Sequence, residues 1–128
     1  MNIQDIYDLP VEDLADDNCI LFLWVTYPLL KEGLQTIEEW GFTYKTCGFS
    51  WVKKNKKSNG FFWGLGYWTR ANCEQCIMGT IGNPKRLGKD VKRLIVDKRR
   101  EHSRKPEQTY TRIETVSYTH LTLPTRLP

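Results

Sequence analysis

Apolar residues along the chain fall into runs that are typical of an alternating α/β arrangement. The continuous apolar run CILFLWV, Cys19–Val25, predicts a strand that is buried on both faces, as in a parallel sheet covered by helices. A helix is predicted next, because apolar residues recur at helical spacing at Leu30, Leu34, Ile37 and Trp40. Gly41 is expected to end this helix. With a second predicted strand at 43–54, the three elements form a βαβ unit.

The remaining pattern predicts two more strands and two short helices. The run EQCIMGTIGNP predicts a third strand that closes in a Gly82–Asn83–Pro84 turn. Val91 and Leu94–Val96 form a short apolar core within a basic stretch, which indicates a strand. We also expect a short helix over Pro10–Ala15 and a last helix over 106–114, opened by Pro106. The predicted fold class is therefore α/β with an open sheet.

The charge is strongly asymmetric along the chain, which a net charge of +4 conceals. Residues 1–40 hold nine acidic residues and one lysine, whereas residues 85–105 hold ten Lys and Arg and three acids. A basic block of this kind indicates a polyanionic partner, nucleic acid above all, and its alternative interpretation is a solvated helix face.

Composition also limits the cellular context. No apolar run reaches the roughly 18–20 residues of a membrane span, and the acidic N-terminus is unlike a signal peptide. Without a secretory signal the four cysteines are expected to be reduced thiols in the cytoplasm. Cys73-x-x-Cys76 lacks a second ligand pair at suitable spacing, so we expect no metal.

Three stretches, in order and spacing, carry a family resemblance. They are LFLWVT, GYWTRANCE followed by GNP, and HSRKPEQTY. Together they resemble the N(6)-adenine methyltransferase family that contains the catalytic subunit of the eukaryotic messenger-RNA adenine methylase, and the shorter bacterial and phage members that act on DNA are more similar still. The resemblance covers residues 1 to about 115.

The resemblance implies a Rossmann-like methyltransferase fold, here partial, with S-adenosylmethionine as cofactor and the exocyclic amine of adenine as acceptor. It implies a nucleic-acid partner, which we expect to be double-stranded DNA, with RNA as the alternative. The family's catalytic Asp-Pro-Pro-Trp motif does not occur in this sequence. We expect that motif upstream of Met1, so that Met1 is an internal methionine and the chain as written is inactive.

The end of the chain departs from the family in another way. VSYTHLTLPT, residues 116–125, is identical to one reading frame of the transposase adapter used in sequencing libraries. We therefore expect a partial methyltransferase domain at 1–115 and a non-native tail at 116–128, and the alternative is a genuine terminal strand.

Candidate substrate-binding residues lie in and before the Gly-rich aromatic loop: Lys53, Tyr67, Trp68 and Arg70. A flipped adenine needs a flat surface to stack on and a cation near its phosphate, which aromatic residues and arginine supply. Phe61, Phe62 and Trp63 beside several lysines form a basic, aromatic strip that suits nucleic acid. A core role for Trp68 and a solvated hairpin tip are the alternatives.

Candidate cofactor-binding residues follow from the resemblance, which places them near the cleft: Asn72, Glu74, Ser103 and Lys105. A turn role for Asn72 and helix capping by Ser103 are the alternatives. Trp24, at the end of the first strand, is interpreted as a core residue, with a place in the cleft as its alternative. A catalytically inactive nucleic-acid-binding module is the alternative function for the whole chain.

Overall fold

The computed structural model describes residues 2–58, 60–64, 69–70, 72–88, 90–99, 105–116 and 120–123, the last of these for the backbone alone. Three helices and five strands lie within these residues: α1 Ile3–Tyr7, β1 Cys19–Val25, α2 Leu30–Glu39, β2 Thr43–Lys54, β3 Glu74–Ile81, β4 Leu94–Lys98, α3 Glu107–Val116 and β5 His120–Leu123. None of the helices in this described part is long and apolar enough to cross a membrane.

The strands form one mixed sheet in the order β4-β2-β3-β1-β5. Strand β3 is antiparallel to both β1 and β2, whereas β4 is parallel to β2 and β5 is parallel to β1. Strands β1 and β2 are therefore parallel to each other with β3 between them, and the predicted βαβ unit spans one intervening strand. The predicted α/β fold class is confirmed, and β1 is buried along its whole length as its apolar run indicates.

Apolar cores cover both faces of the sheet. Leu21, Leu23 and Val25 of β1 pack on one face with Ile37 of α2 and Ile77 of β3. The other core contains the alternate β1 residues and apolar residues from β2, β3, β4 and α3: Ile20, Phe22, Trp24, Phe49, Trp51, Cys76, Ile95 and Ile113. The strict alternation along β1 explains why one apolar run supplies both cores.

Helix α2 approaches the sheet closely because a residue of the helix and a residue of β3, both at the contact between them, are glycines. A Cβ built on Gly79 of β3 would lie 2.7 Å from the Ile37 Cγ2 methyl and 3.0 Å from the Thr43 carbonyl oxygen. A Cβ on Gly33 of α2 would lie 2.5 Å from a Val25 methyl. Both positions therefore require glycine for steric reasons.

The helix predicted over Pro10–Ala15 is shorter and tighter than expected. A 3-10 turn spans Val11–Leu14, and the α-helix of this region lies earlier, at α1. Asn2 and Asp5 form a capping box, in which each side chain accepts a hydrogen bond from the other's backbone N–H. That box satisfies donors at the start of α1 and explains why the helix begins there.

Strand β5 lies within the segment 116–128 that the sequence predicts to be non-native. Its backbone pairs with the outer edge of β1 from Ile20 to Leu23. The non-native origin of this tail stays a prediction.

Candidate functional site

Four elements bring charged and aromatic side chains to one edge of the sheet. Trp24 and Lys53 lie one residue from the carboxyl ends of the parallel strands β1 and β2. Glu74 begins β3, which runs the opposite way, so it lies at the same edge. Lys105 precedes α3 by two residues. Open α/β sheets bind ligands at the carboxyl ends of their parallel strands, and this edge is therefore the candidate site.

A buried carboxylate between two ammonium groups forms the centre of this site. Glu74 Oε2 lies 2.9 Å from Lys53 Nζ, and Glu74 Oε1 lies 2.7 Å from Lys105 Nζ. The Glu74 and Lys105 side chains are 0 % and 1 % exposed, and that of Lys53 is 10 % exposed. Charged residues are almost never buried to this degree unless they are paired. The ion pairs therefore offset the cost of removing these three charges from water.

Two tryptophans line the cluster. The rings of Trp24 and Trp51 meet edge to face, with centroids 6.3 Å apart. Lys105 Nζ lies 5.3 Å from the Trp24 centroid, and Lys53 Nζ lies 5.3 Å from the Trp51 centroid. Both distances fall in the range of cation–π attraction, so the rings stabilise the ammonium groups while excluding water.

The two indole N–H groups differ. Trp51 Nε1 donates to the carbonyl oxygen of Asp97 at 3.1 Å. Trp24 Nε1 is buried, and no acceptor for it exists among the described residues. A buried unsatisfied donor is costly, and such groups in native proteins are commonly satisfied by a ligand or water.

Asn72 ties the end of β2 to the loop that follows it. Its side-chain Oδ1 accepts from the Lys53 N–H at 2.8 Å, and its Nδ2 donates to the Lys53 carbonyl at 3.0 Å. The same amide nitrogen donates to the carbonyl of Phe62. Both amide hydrogens are thus bonded to backbone carbonyls, and the Asn72 side chain joins the end of β2 to the Phe62 backbone.

Arg70 has a comparable backbone role at the surface. Its guanidinium is exposed and donates to the carbonyl oxygens of Trp63 and Gly64 at 3.1 and 3.3 Å. The other predicted site residues of this region, Tyr67 and Trp68, lie outside the described residues, as does Ser103. The structure thus brings Lys53, Asn72, Glu74 and Lys105 together and places Arg70 at the loop nearby.

Trp51 was not predicted as a site residue. Trp24 was predicted to be a core residue, with a place in the cleft as the alternative. Trp51 precedes Lys53 by two residues on the same strand, so strand alternation places both on one face. That spacing was a usable signal. Trp24 is both a core residue and a wall of the charged cluster, because the cluster lies directly on the core.

The cysteine pair Cys73 and Cys76 is divided by the start of β3. Cys76 is fully buried, and burial raises the pKa of its thiol well above 9.0, with a smaller raising effect from Cys47 and a lowering effect from Lys105. Cys73 is half-buried. Within the described ranges no group of three or more His, Cys, Asp or Glu side chains is arranged to hold a metal ion.

Comparison with known proteins identifies the family of the chain. The MT-A70 family profile matches residues 1–126. The chain belongs to the MT-A70 family. Membership confirms the resemblance drawn from the sequence motifs.

Curated relatives of the family come from bacteria and eukaryotes. The chain is 31 % identical over 109 residues to the Type II methyltransferase M.MunI of a Mycoplasma species, covering 83 % of the chain and 43 % of that protein. It is 32 % identical over 124 residues to a putative N(6)-adenosine-methyltransferase MT-A70-like protein of Medicago truncatula, covering 86 % of the chain and 20 % of that protein.

A human relative is equally similar. The chain is 33 % identical over 112 residues to the N(6)-adenosine-methyltransferase catalytic subunit METTL3 of Homo sapiens, covering 86 % of the chain and 19 % of that protein. The chain thus spans less than half the length of each of these three relatives.

Proposed function

We propose that this chain forms part of the active cleft of a methyltransferase that uses S-adenosylmethionine and methylates the N(6) amine of adenine in DNA. The observation that carries the proposal is the buried Lys53–Glu74–Lys105 cluster at the carboxyl edge of the sheet. Family membership supplies the chemistry, because the relatives' names specify methyltransferases, and in two of these three cases N(6)-adenosine. RNA is the alternative substrate.

The donors at the cluster fit an adenine-containing cofactor. S-adenosylmethionine carries a carboxylate and ring nitrogens that accept hydrogen bonds, and when bound it supplies an activated methyl group. Lys105 Nζ and the unsatisfied Trp24 Nε1 are the donors that would hold such acceptors. Glu74 would fix the position of the Lys105 ammonium group, so that little reorganisation accompanies binding.

The two tryptophan rings would increase the electrostatic effect of the cluster on a bound ligand. Trp24 and Trp51 are both almost completely buried and keep water away from the two ammonium groups. Charges in a water-excluded site act on a ligand more strongly than the same charges at the surface. In this proposal the chain's own residues contribute positioning and electrostatics, without a covalent intermediate on the protein.

The chain alone is expected to be inactive. Its sequence contains no Asp-Pro-Pro-Trp motif, which the family resemblance identifies as the source of the carboxylate that orients the adenine amine. Incubation of the purified 128-residue chain with radiolabelled S-adenosylmethionine and adenine-containing DNA should leave the DNA unlabelled. Labelled N(6)-methyladenine that depends on this chain would refute the expectation.

Exposed basic residues support a polyanionic partner. Basic side chains beyond β2, before β4 and at the end of β4 are exposed: Lys56, Lys57, Lys85, Arg86, Lys92, Arg93 and Lys98. Neutralising phosphates releases counterions, so such residues favour nucleic-acid binding at moderate salt. We propose double-stranded DNA as the physiological partner and the cytoplasm as the compartment.

The same basic surface favours a second candidate, a nucleic-acid-binding module without catalytic function. That candidate needs no cofactor, and the cofactor therefore distinguishes the two. Under the second candidate the chain would bind oligonucleotides but would show no specific affinity for S-adenosylhomocysteine.

Titration calorimetry with S-adenosylhomocysteine tests the proposal, because this demethylated product of the cofactor would occupy the cofactor site without reacting. We expect one saturable site on the chain and at least a tenfold loss of affinity in Lys105→Met, since a hydrogen bond to a charged group contributes about 1.5–3 kcal/mol. Glu38→Gln, an exposed position on α2, is the matched control and should bind normally. No saturable heat up to about 1 mM ligand, or full affinity in Lys105→Met, would contradict it.

A further inference from the structure

The segment that follows β2 displays two of its three aromatic side chains outward. Phe61 and Trp63 are 49 % and 56 % exposed. Phe62, between them, is half-buried, with the Arg99 guanidinium 3.8 Å from its ring centroid and Lys53 Nζ 6.0 Å away. The chain therefore alternates as a strand does, with one ring anchored and its two neighbours facing solvent.

Side chains hold this backbone at four consecutive carbonyls. Asn55 Nδ2 donates to the Phe61 carbonyl at 3.3 Å, and Asn72 Nδ2 donates to the Phe62 carbonyl. Arg70 donates to the next two carbonyls, those of Trp63 and Gly64. The Phe62 N–H also donates to the Lys53 carbonyl at 2.9 Å.

These hydrogen bonds fix the backbone that carries the two exposed rings. Ordering a backbone residue costs roughly 1–2 kcal/mol, and here that cost is met within the free protein. Pre-organised, rigid aromatic groups are the side chains that binding surfaces use most effectively. The exposed rings are thus displayed on a fixed support.

The charges around the rings indicate the kind of partner. Lys56 and Lys57 are exposed just before the aromatic segment, and the Arg70 guanidinium is exposed beside it. The described side chains of residues 53–64 and 69–70 include no carboxylate. Flat apolar rings next to cations match a nucleic-acid strand, whose bases stack on the rings while its phosphates meet the cations.

We infer that Phe61 and Trp63 form a stacking platform for unpaired bases of the nucleic-acid substrate, with Lys56, Lys57 and Arg70 contacting the phosphates. The inference rests on the proposed function and refines it. Bases inside an intact duplex are already stacked on each other, so a platform of this kind binds single-stranded or locally opened nucleic acid. It binds without sequence preference, because every base has a π-face.

Fluorescence anisotropy with a labelled single strand of about 12 nucleotides tests the inference on the full chain. Phe61→Ala and Trp63→Ala should each weaken binding roughly 5- to 150-fold, the range seen for loss of one stacked base. Trp63→Phe keeps a flat ring and should stay close to wild type. Tyr44→Ala removes an aromatic ring that is 40 % exposed at the other end of β2, and this control should have no effect.

Two ligand variants complete the design. A strand of the same length with abasic positions should bind wild type as weakly as an intact strand binds Trp63→Ala. A fully paired duplex offers no unpaired base to the rings, so it should bind wild type and Trp63→Ala equally. The salt dependence should be the same in wild type and Trp63→Ala, because the lysines and arginine remain.

Several results would overturn the inference. They are equal binding by wild type and both alanine variants, equal binding of intact and abasic strands, or a loss of affinity in Trp63→Ala that is as large on a fully paired duplex as on the single strand. Self-association of wild type that Trp63→Ala abolishes, with oligonucleotide affinity unchanged, would assign the rings to a protein contact and also overturn it.

The S-adenosylhomocysteine titration on the same preparations separates this outcome from failure of the proposed function. Cofactor binding together with unaffected variants refutes the platform alone. Oligonucleotide binding without cofactor binding refutes the methyltransferase proposal and leaves the platform in place.

Discussion

Replacing Glu74 by glutamine tests how much the buried ion cluster contributes to the stability of the fold. The substitution preserves the shape of the side chain and removes its negative charge. Lys53 and Lys105 would then be two buried ammonium groups without the carboxylate that lies 2.9 and 2.7 Å from them. The structure therefore predicts a large loss of folding free energy from a nearly isosteric change.

The magnitude follows from the geometry. At an effective dielectric constant of about 20, each contact at these distances contributes roughly 6 kcal/mol of Coulomb attraction. The cost of removing the charged groups from water offsets most of that gain, and breaking a buried pair costs about 3–5 kcal/mol net. Typical domains have about 5–15 kcal/mol in total, so Glu74→Gln would lose a large part of the stability.

Urea unfolding followed by tryptophan fluorescence measures this loss. With a slope of about 2 kcal/mol per molar urea, we expect the midpoint to fall by roughly 2 M. Glu38→Gln, at an exposed position, should change the free energy of unfolding by no more than about 0.5 kcal/mol.

A double substitution distinguishes electrostatics from packing. Adding Lys105→Met to Glu74→Gln removes one of the two ammonium groups that contact residue 74, so the double variant should be more stable than Glu74→Gln alone by about 1–3 kcal/mol. A loss below about 1 kcal/mol in Glu74→Gln, or a double variant that is less stable still, would refute the assignment of Glu74 as the centre of a buried ion cluster.

Three further predictions concern other parts of the fold. Asn72→Ala removes three hydrogen bonds to the backbone and should lower the free energy of unfolding by about 1–3 kcal/mol in urea, while Asn55→Ala, which loses one exposed bond, should change it by less than about 0.5 kcal/mol. Burial raises the pKa of the Cys76 thiol, so above about pH 9 the thiol ionises in the unfolded chain but not in the folded one. The free energy of unfolding of wild type should therefore fall, relative to that of Cys76→Ala, by up to about 1.4 kcal/mol per pH unit above about pH 9. Below that pH the difference in free energy of unfolding between the two proteins should be constant. Gly79→Ala forces a methyl against α2 and should cost about 1–3 kcal/mol, whereas Gly60→Ala, whose nearest neighbour is 3.4 Å away, should be close to neutral in the same urea assay.

Each of the three has a result that contradicts it. Equal stability of the two asparagine variants would show that Asn72 does not clamp the backbone. Parallel pH profiles for wild type and Cys76→Ala above pH about 9 would show that the thiol is not protected by burial. A stable Gly79→Ala chain would show that α2 does not pack closely on β3.

Much of the fold could be predicted from the sequence because its strands are strongly apolar. Strands β1 and β2 have the bounds that the pattern indicates, and both ends of β1 coincide with changes between polar and apolar residues. The position of β3 between them could not be inferred, because pairing order depends on contacts distant in sequence. Helix α1 was missed because five residues with a single buried side chain give almost no periodic signal.

The site was predictable as a set of residues but not as a geometry. Family motifs pointed to Glu74 and Lys105, and the basic strip pointed to Lys53. That Glu74 joins both lysines depends on the antiparallel pairing of β2 and β3, which places Trp51 opposite Glu74. The engagement of Asn72 by the backbone depends on the path of the loop, which no local pattern specifies.

The measurement that tests the central claim most directly is an NMR titration of the tryptophan indole N–H signals with S-adenosylhomocysteine. The signals are assigned by single Trp→Phe variants. Trp24 Nε1, which has no acceptor within the described part of the chain, lies at the proposed cofactor site. Trp40 Nε1 donates to the Ile6 carbonyl at 2.8 Å in the core on the other face of the sheet and serves as an internal control.

We predict that the Trp24 signal moves saturably as ligand is added, while the Trp40 signal stays in place. Lys105→Met should reduce the affinity read from the Trp24 signal without moving the Trp40 signal. A folded chain whose Trp24 signal does not respond to about 1 mM ligand, or in which Trp40 responds instead, would contradict the assignment of this edge as the cofactor-facing part of a methyltransferase.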